Sequence, residues 1–360
     1  MRVLMLNDLP VAPGPGHGGA EVVIDRLCTA LQGRGHEVLV HSRPGPRLGL
    51  HRVGAFWDPQ EGRRVAALLR SFRPDVIHAH NVLRELSPAV LWAVRRLPVV
   101  LTVHDLRIAA IVLGQGSAAE RLVDGRIKQP LDAALVRRVV DSYVTVGPVA
   151  AEVLRHKGFD PVTVIEPPAP SWPAPVRLPS ECTDLAIIGR VATDKGVDVA
   201  LAAFARLDPA LRGRLLVVGD GPQKAELEAS APDGVDFLGR LTADELPGLL
   251  ATVRAVVLPS LPALRPETSS LTSIEAAWMG RPVVCSDDPA ASGLVTRLGA
   301  GLVVPAGDVP ALTVALTRVM QDDSLVDRLG AAGAGGARRG HAADVVAQRY
   351  LDVYQQALAR

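Results

Sequence analysis

Two cations, two glutamates and one histidine stand where side chains could handle a charged ligand. Arg190 and Lys195 lie in Gly189-Arg190-Val191-Ala192-Thr193-Asp194-Lys195-Gly196, directly after the apolar run Leu185-Ala186-Ile187-Ile188 and ahead of a helical stretch. That is the C-terminal end of a parallel strand, where open α/β sheets bind their ligands. Two cations there suit a diphosphate, because a guanidinium forks two oxygens while an ammonium acts as a mobile point charge. In isolation the pair reads equally well as solvated loop charges. Glu267 and Glu275 bracket the start of another helix, which Ser269 and Ser270 are suited to cap if it begins near Leu271. The amides of that helix start attract anions, and a carboxylate beside a diphosphate is repelled unless it faces hydroxyls. Sugar and ribose hydroxyls are therefore the natural partners of these glutamates, although the spacing also fits ordinary helix-start charges. His104 closes the strand-like Val99-Val100-Leu101-Thr102-Val103. It could bond a ligand hydroxyl or phosphate oxygen, or be a satisfied structural imidazole.

Gly14-Pro15-Gly16-His17-Gly18-Gly19 precedes a helix starting near Ala20, so its backbone N–H groups could cradle a phosphate. The formal match to a dinucleotide-binding turn fails on context. Pro10 and Pro13 separate Leu6 from Gly14, and the second strand ends Val38-Leu39-Val40-His41-Ser42-Arg43 without an acidic residue for an NAD ribose. An NAD(P)-dependent oxidoreductase is disfavoured on both counts. His78 and His80 end Asp75-Val76-Ile77-His78-Ala79-His80-Asn81 with no carboxylate or cysteine at ligand spacing, so no metal site is expected.

The elements that must position these residues are short Val/Ile/Leu runs alternating with helix-length Ala/Leu/Arg segments, the pattern of buried parallel strands in βα repeats. Strands are predicted near 2–6, 37–41, 75–78, 98–103 and 142–146, then near 184–188, 214–218, 235–238, 254–258, 282–285 and 301–304. The fold class is α/β with two doubly wound, Rossmann-like domains. The predicted limits are an N-terminal domain at 1–166, a Pro-rich linker at 167–180 and a C-terminal domain at 181–336. A C-terminal helix at 337–360 would pack back on the first domain, bending at the Gly/Ala stretch 330–336.

The chain has 360 residues, 48% hydrophobic and 21% charged, with a formal net charge of +1. That composition excludes a disordered chain and gives no basis for nucleic-acid binding. Cys28, Cys182 and Cys285 are far apart in apolar runs, as in a reducing compartment. No run has the length of a membrane span and no leader is evident, so a cytoplasmic location is expected. The pairs Arg63-Arg64, Arg95-Arg96 and Arg137-Arg138 offer a peripheral contact with the inner face of a membrane, or a solvated helix face.

Taken in order, Gly18-Gly19-Ala20-Glu21, Gly35-His36-Glu37-Val38, Asp75 to His80, Thr102-Val103-His104-Asp105, Gly189-Arg190 with Lys195-Gly196, Val218-Gly219-Asp220-Gly221-Pro222, Pro259-Ser260, Glu267 with Glu275-Ala276, and Gly280 with Pro282-Val283-Val284 resemble the GT-B retaining glycosyltransferases of family 4. The resemblance covers nearly the whole chain. It implies two facing Rossmann-like domains with a cleft between them, and sugar transfer from a nucleoside-diphosphate sugar, UDP-sugar favoured over GDP-sugar, with no metal and no further cofactor. Arg190 and Lys195 would hold the diphosphate, Glu275 the ribose and Glu267 the transferred sugar, with His104 near the reacting centre. Gly18 and Gly19 would close on the phosphates. Gly219, Gly221 and Leu238 would border the nucleoside, and Ser269, Ser270 and Leu271 would supply the helix start. The acceptor would attack from the leaving-group face and pass its proton to the departing phosphate. It would be a glycan, lipid, metabolite or natural product, contacting segments near 8–17, 43–60 and 105–130.

Two departures stand against this pattern. Thr268-Ser269-Ser270 replaces the usual glycine-rich loop, and Glu166-Pro167-Pro168 replaces the usual hinge. They keep a second reading open, a catalytically degenerate nucleotide-binding or partner protein of the same fold. A glycoside hydrolase needs two carboxylates across the scissile bond, a geometry spacing alone does not supply. An epimerase needs acid and base groups over the sugar ring, and no such set is present.

Overall fold

The computed structural model describes residues 1–11, 18–43, 57–83, 85–106, 124–211, 213–262 and 267–360. The chain divides into two units, one formed by Met1–Pro168 with Ala343–Arg360 and the other by Ala169–Ala342. In the first, strands β1 (Arg2–Asn7), β2 (Glu37–Ser42), β3 (Val76–Ala79), β4 (Val99–Val103), β5 (Ser142–Thr145) and β6 (Val162–Val164) form a parallel sheet in the order β2-β1-β3-β4-β5-β6. In the second, β7 (Asp184–Ile188), β8 (Leu215–Val218), β9 (Val235–Gly239), β10 (Val253–Leu258), β11 (Val283–Ser286) and β12 (Gly301–Val304) form another, in the order β12-β11-β10-β7-β8-β9.

The uninterrupted apolar runs follow from burial on both faces of each sheet. Leu4 and Leu6 enter one core of the first unit, with Val65, Val90 and Val136 from the helices, while Val3 and Met5 enter the opposite one. That second core is completed by the helix Ala343–Leu358, which brings in Val346, Tyr350, Val353 and Tyr354 beside Ile24 and Leu27. In the second unit Leu185 and Ile187 face one core and Ala186 the other. The order of strands reverses direction between β7 and β10, so the carboxyl ends of these two strands flank a topological switch point, the usual ligand position in such sheets.

Three expectations are corrected. β6 adds a strand to the first sheet, and at three residues it is too short to show a period. The Gly/Ala stretch 330–336 does not bend: it lies inside the continuous helix Asp323–His341. Its glycines serve close packing, since a Cβ on Gly330 would stand 2.3 Å from the Gly280 carbonyl oxygen and one on Gly336 2.8 Å from Leu298 Cδ2. The chain turns instead at Ala342 (φ −55°, ψ 138°). The Pro-rich segment belongs to the second unit from Ala169 onward. Ala169 is buried with Ile274 and Leu294 and donates its N–H to the His341 carbonyl at 2.7 Å, and Trp278 Nε1 donates to the Trp172 carbonyl at 3.0 Å. Prolines withhold donors, but their neighbours' carbonyls and apolar side chains still pack.

Candidate active site

At the switch point of the second unit, the chain leaving β7 makes a tight turn at Thr193–Lys195 that ends on Gly196 with φ +62°. A Cβ on Gly196 would lie 2.1 Å from the Pro259 carbonyl oxygen, so only glycine lets this turn rest on the segment that leaves β10. A backbone bond from Leu261 N–H to the Asp194 carbonyl, 2.9 Å, fastens the two together. This contact brings Lys195 to Glu267, 72 positions later: Lys195 Nζ donates to Glu267 Oε1, which also accepts from Ser260 Oγ at 3.0 Å. Arg190 turns to its own loop, with Nη2 2.8 and 2.6 Å from the two Asp194 carboxylate oxygens. The two cations predicted to hold a diphosphate thus each have a carboxylate partner.

Glu275 is buried in the second turn of the helix Leu271–Trp278. That helix starts at Leu271 as predicted, but neither serine caps it with its side chain. The Ser270 hydroxyl bonds Ser273 Oγ at 2.6 Å instead. Behind Glu267 lies Asp288, fully buried, whose Oδ1 accepts from the amides of Ala290 and Ala291 at 3.0 and 3.3 Å and so caps the helix Pro289–Leu298. Burial, and then the neighbouring charge of Glu267, hold its carboxyl above the usual carboxylate range.

Gly219 and Gly221 sit in the loop after β8, against the loop that carries Arg190. A Cβ on Gly219 (φ +141°) would fall 1.8 Å from the Gly189 oxygen, and one on Gly221 2.1 Å from the Val191 oxygen. The two loops are also joined by Val191 N–H to the Asp220 carbonyl, 2.9 Å. Leu238, 42% exposed, lies on the edge strand β9 beside β8.

In the first unit, Gly18 precedes the helix Gly19–Gly33. The Gly18 amide donates to Glu21 Oε2 at 2.9 Å, so a carboxylate of its own helix stands where a phosphate was predicted. Gly14 and Gly16, and most of the segments predicted to meet an acceptor, lie outside the described residues. His104 follows β4, and its Nε2 is 2.9 Å from His80 Nδ1. His78 is saturated: Thr102 Oγ1 donates to the Tyr350 hydroxyl at 3.3 Å, so it accepts from His78 Nε2–H at 2.7 Å, leaving His78 Nδ1 to accept from Tyr354 O–H at 2.6 Å. Burial lowers His78 to about 3 and His104 to about 4, and holds His80 well below its usual value with help from its two neighbours. All three imidazoles are therefore neutral at physiological pH, and His104 is a hydrogen-bonding group rather than a cation. Tyr354→Phe, which strips a partner from buried His78, is expected to cost about 1–3 kcal/mol. A drop in urea midpoint with an unchanged slope would register it.

Ser260, Asp288 and the His80 contact with His104 were not among the predicted site residues. Asp288-Pro289 carries a helix-start signature that could have drawn attention to Asp288. Ser260 stands in the Pro259-Ser260 pair already matched to the family, a pair to which no role was given.

Two family models match the chain: Glycosyltransferase Family 4 over residues 17–170 and Glycosyl transferases group 1 over residues 182–322. Among curated relatives, glycogen synthase of Mycobacterium tuberculosis is 29% identical, over 91% of this chain and 88% of that protein. D-inositol 3-phosphate glycosyltransferase of Segniliparus rotundus is 30% identical, over 79% and 73%. Sucrose-phosphate synthase from Thermosynechococcus elongatus superposes with a TM-score of 0.78 at 23% identity, covering 99% of both chains. HepE of Anabaena, solved in complex with UDP, gives 0.72 at 18% identity, over 99% of this chain and 100% of that one. The architecture they share with this chain, two Rossmann-like α/β units, is the GT-B fold.

Proposed function

We propose that this chain, which belongs to the group 1 (family 4) glycosyltransferases, transfers a sugar with retention of anomeric configuration from a nucleoside-diphosphate sugar, UDP-sugar first, to an acceptor hydroxyl. The observation that carries the reading is the Lys195–Glu267–Ser260 cluster at the switch point between β7 and β10, with Arg190 held by Asp194, the residue before Lys195, and Glu275 buried in the following helix. A diphosphate entering there exchanges the carboxylate partners of Lys195 and Arg190 for phosphoryl oxygens, and their charge stabilises the leaving group without a metal. Glu267, released from Lys195, bonds sugar hydroxyls and Glu275 the ribose. Neutral His104 serves a sugar hydroxyl. The acceptor hydroxyl attacks from the face the diphosphate leaves, its oxygen forming the new bond to the anomeric carbon as the old carbon–oxygen bond breaks. Its proton goes to a departing phosphate oxygen.

A thermal-shift panel of UDP, GDP, ADP and NAD(P) tests the donor, since a ligand bound only to the native state raises its melting temperature. UDP is expected to stabilise the wild type and to lose that effect on Lys195→Ala. Stabilisation by NAD(P) alone overturns the reading, and no shift with any nucleotide favours a degenerate member of the family. The anomeric proton coupling in the product reports retention, and an inverted product removes that part of the mechanism.

A further inference from the structure

The helices Pro59–Phe72, Ala89–Val94 and Gln129–Val139 pack side by side over one face of the first sheet. Arg63-Arg64 and Arg137-Arg138 stand exposed on the outer two of these helices, and Arg95-Arg96, also exposed, follow directly on the end of Ala89–Val94. The only acidic residues on these helices, Glu61 and Asp132, are buried and already paired, Glu61 with Arg64 at 2.5 Å and with Arg43 at 3.6 Å, Asp132 with Lys128. The outer surface of the three helices therefore presents one sign of charge. The asymmetry extends to the whole unit. Residues 1–168 with 343–360 hold 23 Lys and Arg against 18 Asp and Glu, net +5, whereas residues 169–342 hold 16 against 20, net −4.

Large apolar side chains are exposed on the same segments, Trp92 three residues before Arg95 and Leu131 seven before Arg138 in one helix. Leu131 is 62% exposed and Ile127, one turn earlier, 53%. Trp92 is 39% exposed, with the Arg95 guanidinium 4.3 Å over its ring. A merely solvated helix face mixes both signs of charge and exposes few such side chains. We propose that this face docks the chain on an anionic lipid bilayer, with the arginines on headgroup phosphates and Trp92, Ile127 and Leu131 entering the interfacial layer. A soluble polyanion would satisfy the arginines but give nothing to Ile127 and Leu131. A second copy of the same face would meet its own charge. No helix among the described residues is long and apolar enough to cross a membrane, so the contact is a surface one.

The test is co-sedimentation of the full chain with vesicles of phosphatidylcholine alone and of phosphatidylcholine mixed with phosphatidylglycerol, at low and high salt. Binding is expected only to the anionic vesicles and should weaken roughly tenfold or more in high salt. The double variant Arg95→Ser with Arg96→Ser and the single variant Leu131→Ser should each reduce it several-fold. Both sites are exposed, and unchanged melting temperatures and UDP response would show that fold and donor binding persist. Equal sedimentation with both vesicle types, none with either, or variants that bind like the wild type would overturn the proposal. So would heparin binding that is indifferent to Leu131→Ser, or a dimer in analytical ultracentrifugation that this substitution dissolves.

Discussion

Lys195→Ala is expected to lower turnover roughly 100- to 1000-fold, the loss that follows removal of one preorganised charge from a developing oxyanion. Two features of the site make the expectation sharp. The turn that carries Lys195 is fixed by Gly196 against the Pro259 carbonyl and by the bond between Leu261 and Asp194, so its backbone does not depend on the lysine side chain. Glu267 keeps its bond from Ser260 after the substitution, which limits collateral change. Folding stability should move little, because both partners of the ion pair are partly exposed. Lys195→Arg should not restore full activity, since a planar fork replaces a compact ammonium that must serve Glu267 and phosphate in turn. Turnover measured beside melting temperature separates the outcomes. A variant that keeps turnover within a few-fold of wild type would remove Lys195 from the machinery.

Acid should destabilise the first unit well before its carboxylates titrate. In the unfolded chain an imidazole binds its proton near pH 6.5, whereas folded His78 binds one only near 3. Below pH 6.5 the unfolded state therefore holds more protons than the native one, and stability falls as pH falls toward 3. Above that window the contribution is fully present. From pH 7 to pH 5, His78 alone accounts for about 2 kcal/mol. His80 and His104 act in the same direction. Urea midpoints at pH 7, 6 and 5 would register the slope, and His78→Gln, less stable at pH 7, should lose less on acidification. Equal midpoints at pH 7 and pH 5 would mean that these imidazoles are not held neutral in the fold.

The fold was largely legible because parallel strands buried on both faces leave apolar runs that need no periodicity to be found. What escaped was decided by packing. Gly330, Gly333 and Gly336 look like a hinge to a local reading, yet they are the flat side of a helix pressed on Gly280, Ala300 and Leu298. The residues from Ala169 on read as a linker because proline denies hydrogen bonds, and they are anchored by side chains and carbonyls that propensity does not register. At the site, the ends of β7 and the start of the helix at Leu271 were visible from strand and cap signals. The pairing of Lys195 with Glu267 was not, because it depends on β10 lying next to β7, a matter of topology rather than spacing. The Pro259-Ser260 pair and the helix start at Asp288 could be read locally, but neither tells that its side chain lies beside Glu267.

The segment Ala343–Arg360, which forms the last helix, belongs to a unit whose other residues all precede Ala169. On the ribosome the chain emerges in order, so β1 to β6 leave the tunnel while Tyr350 and Tyr354 are not yet made, and His78 waits without the hydroxyl that satisfies it. Residues 169–342 form an uninterrupted unit and can close first. The half of the molecule that is synthesised first is thus the half that finishes last, and a nascent-chain chaperone would find its exposed apolar surface along the face that the last helix covers.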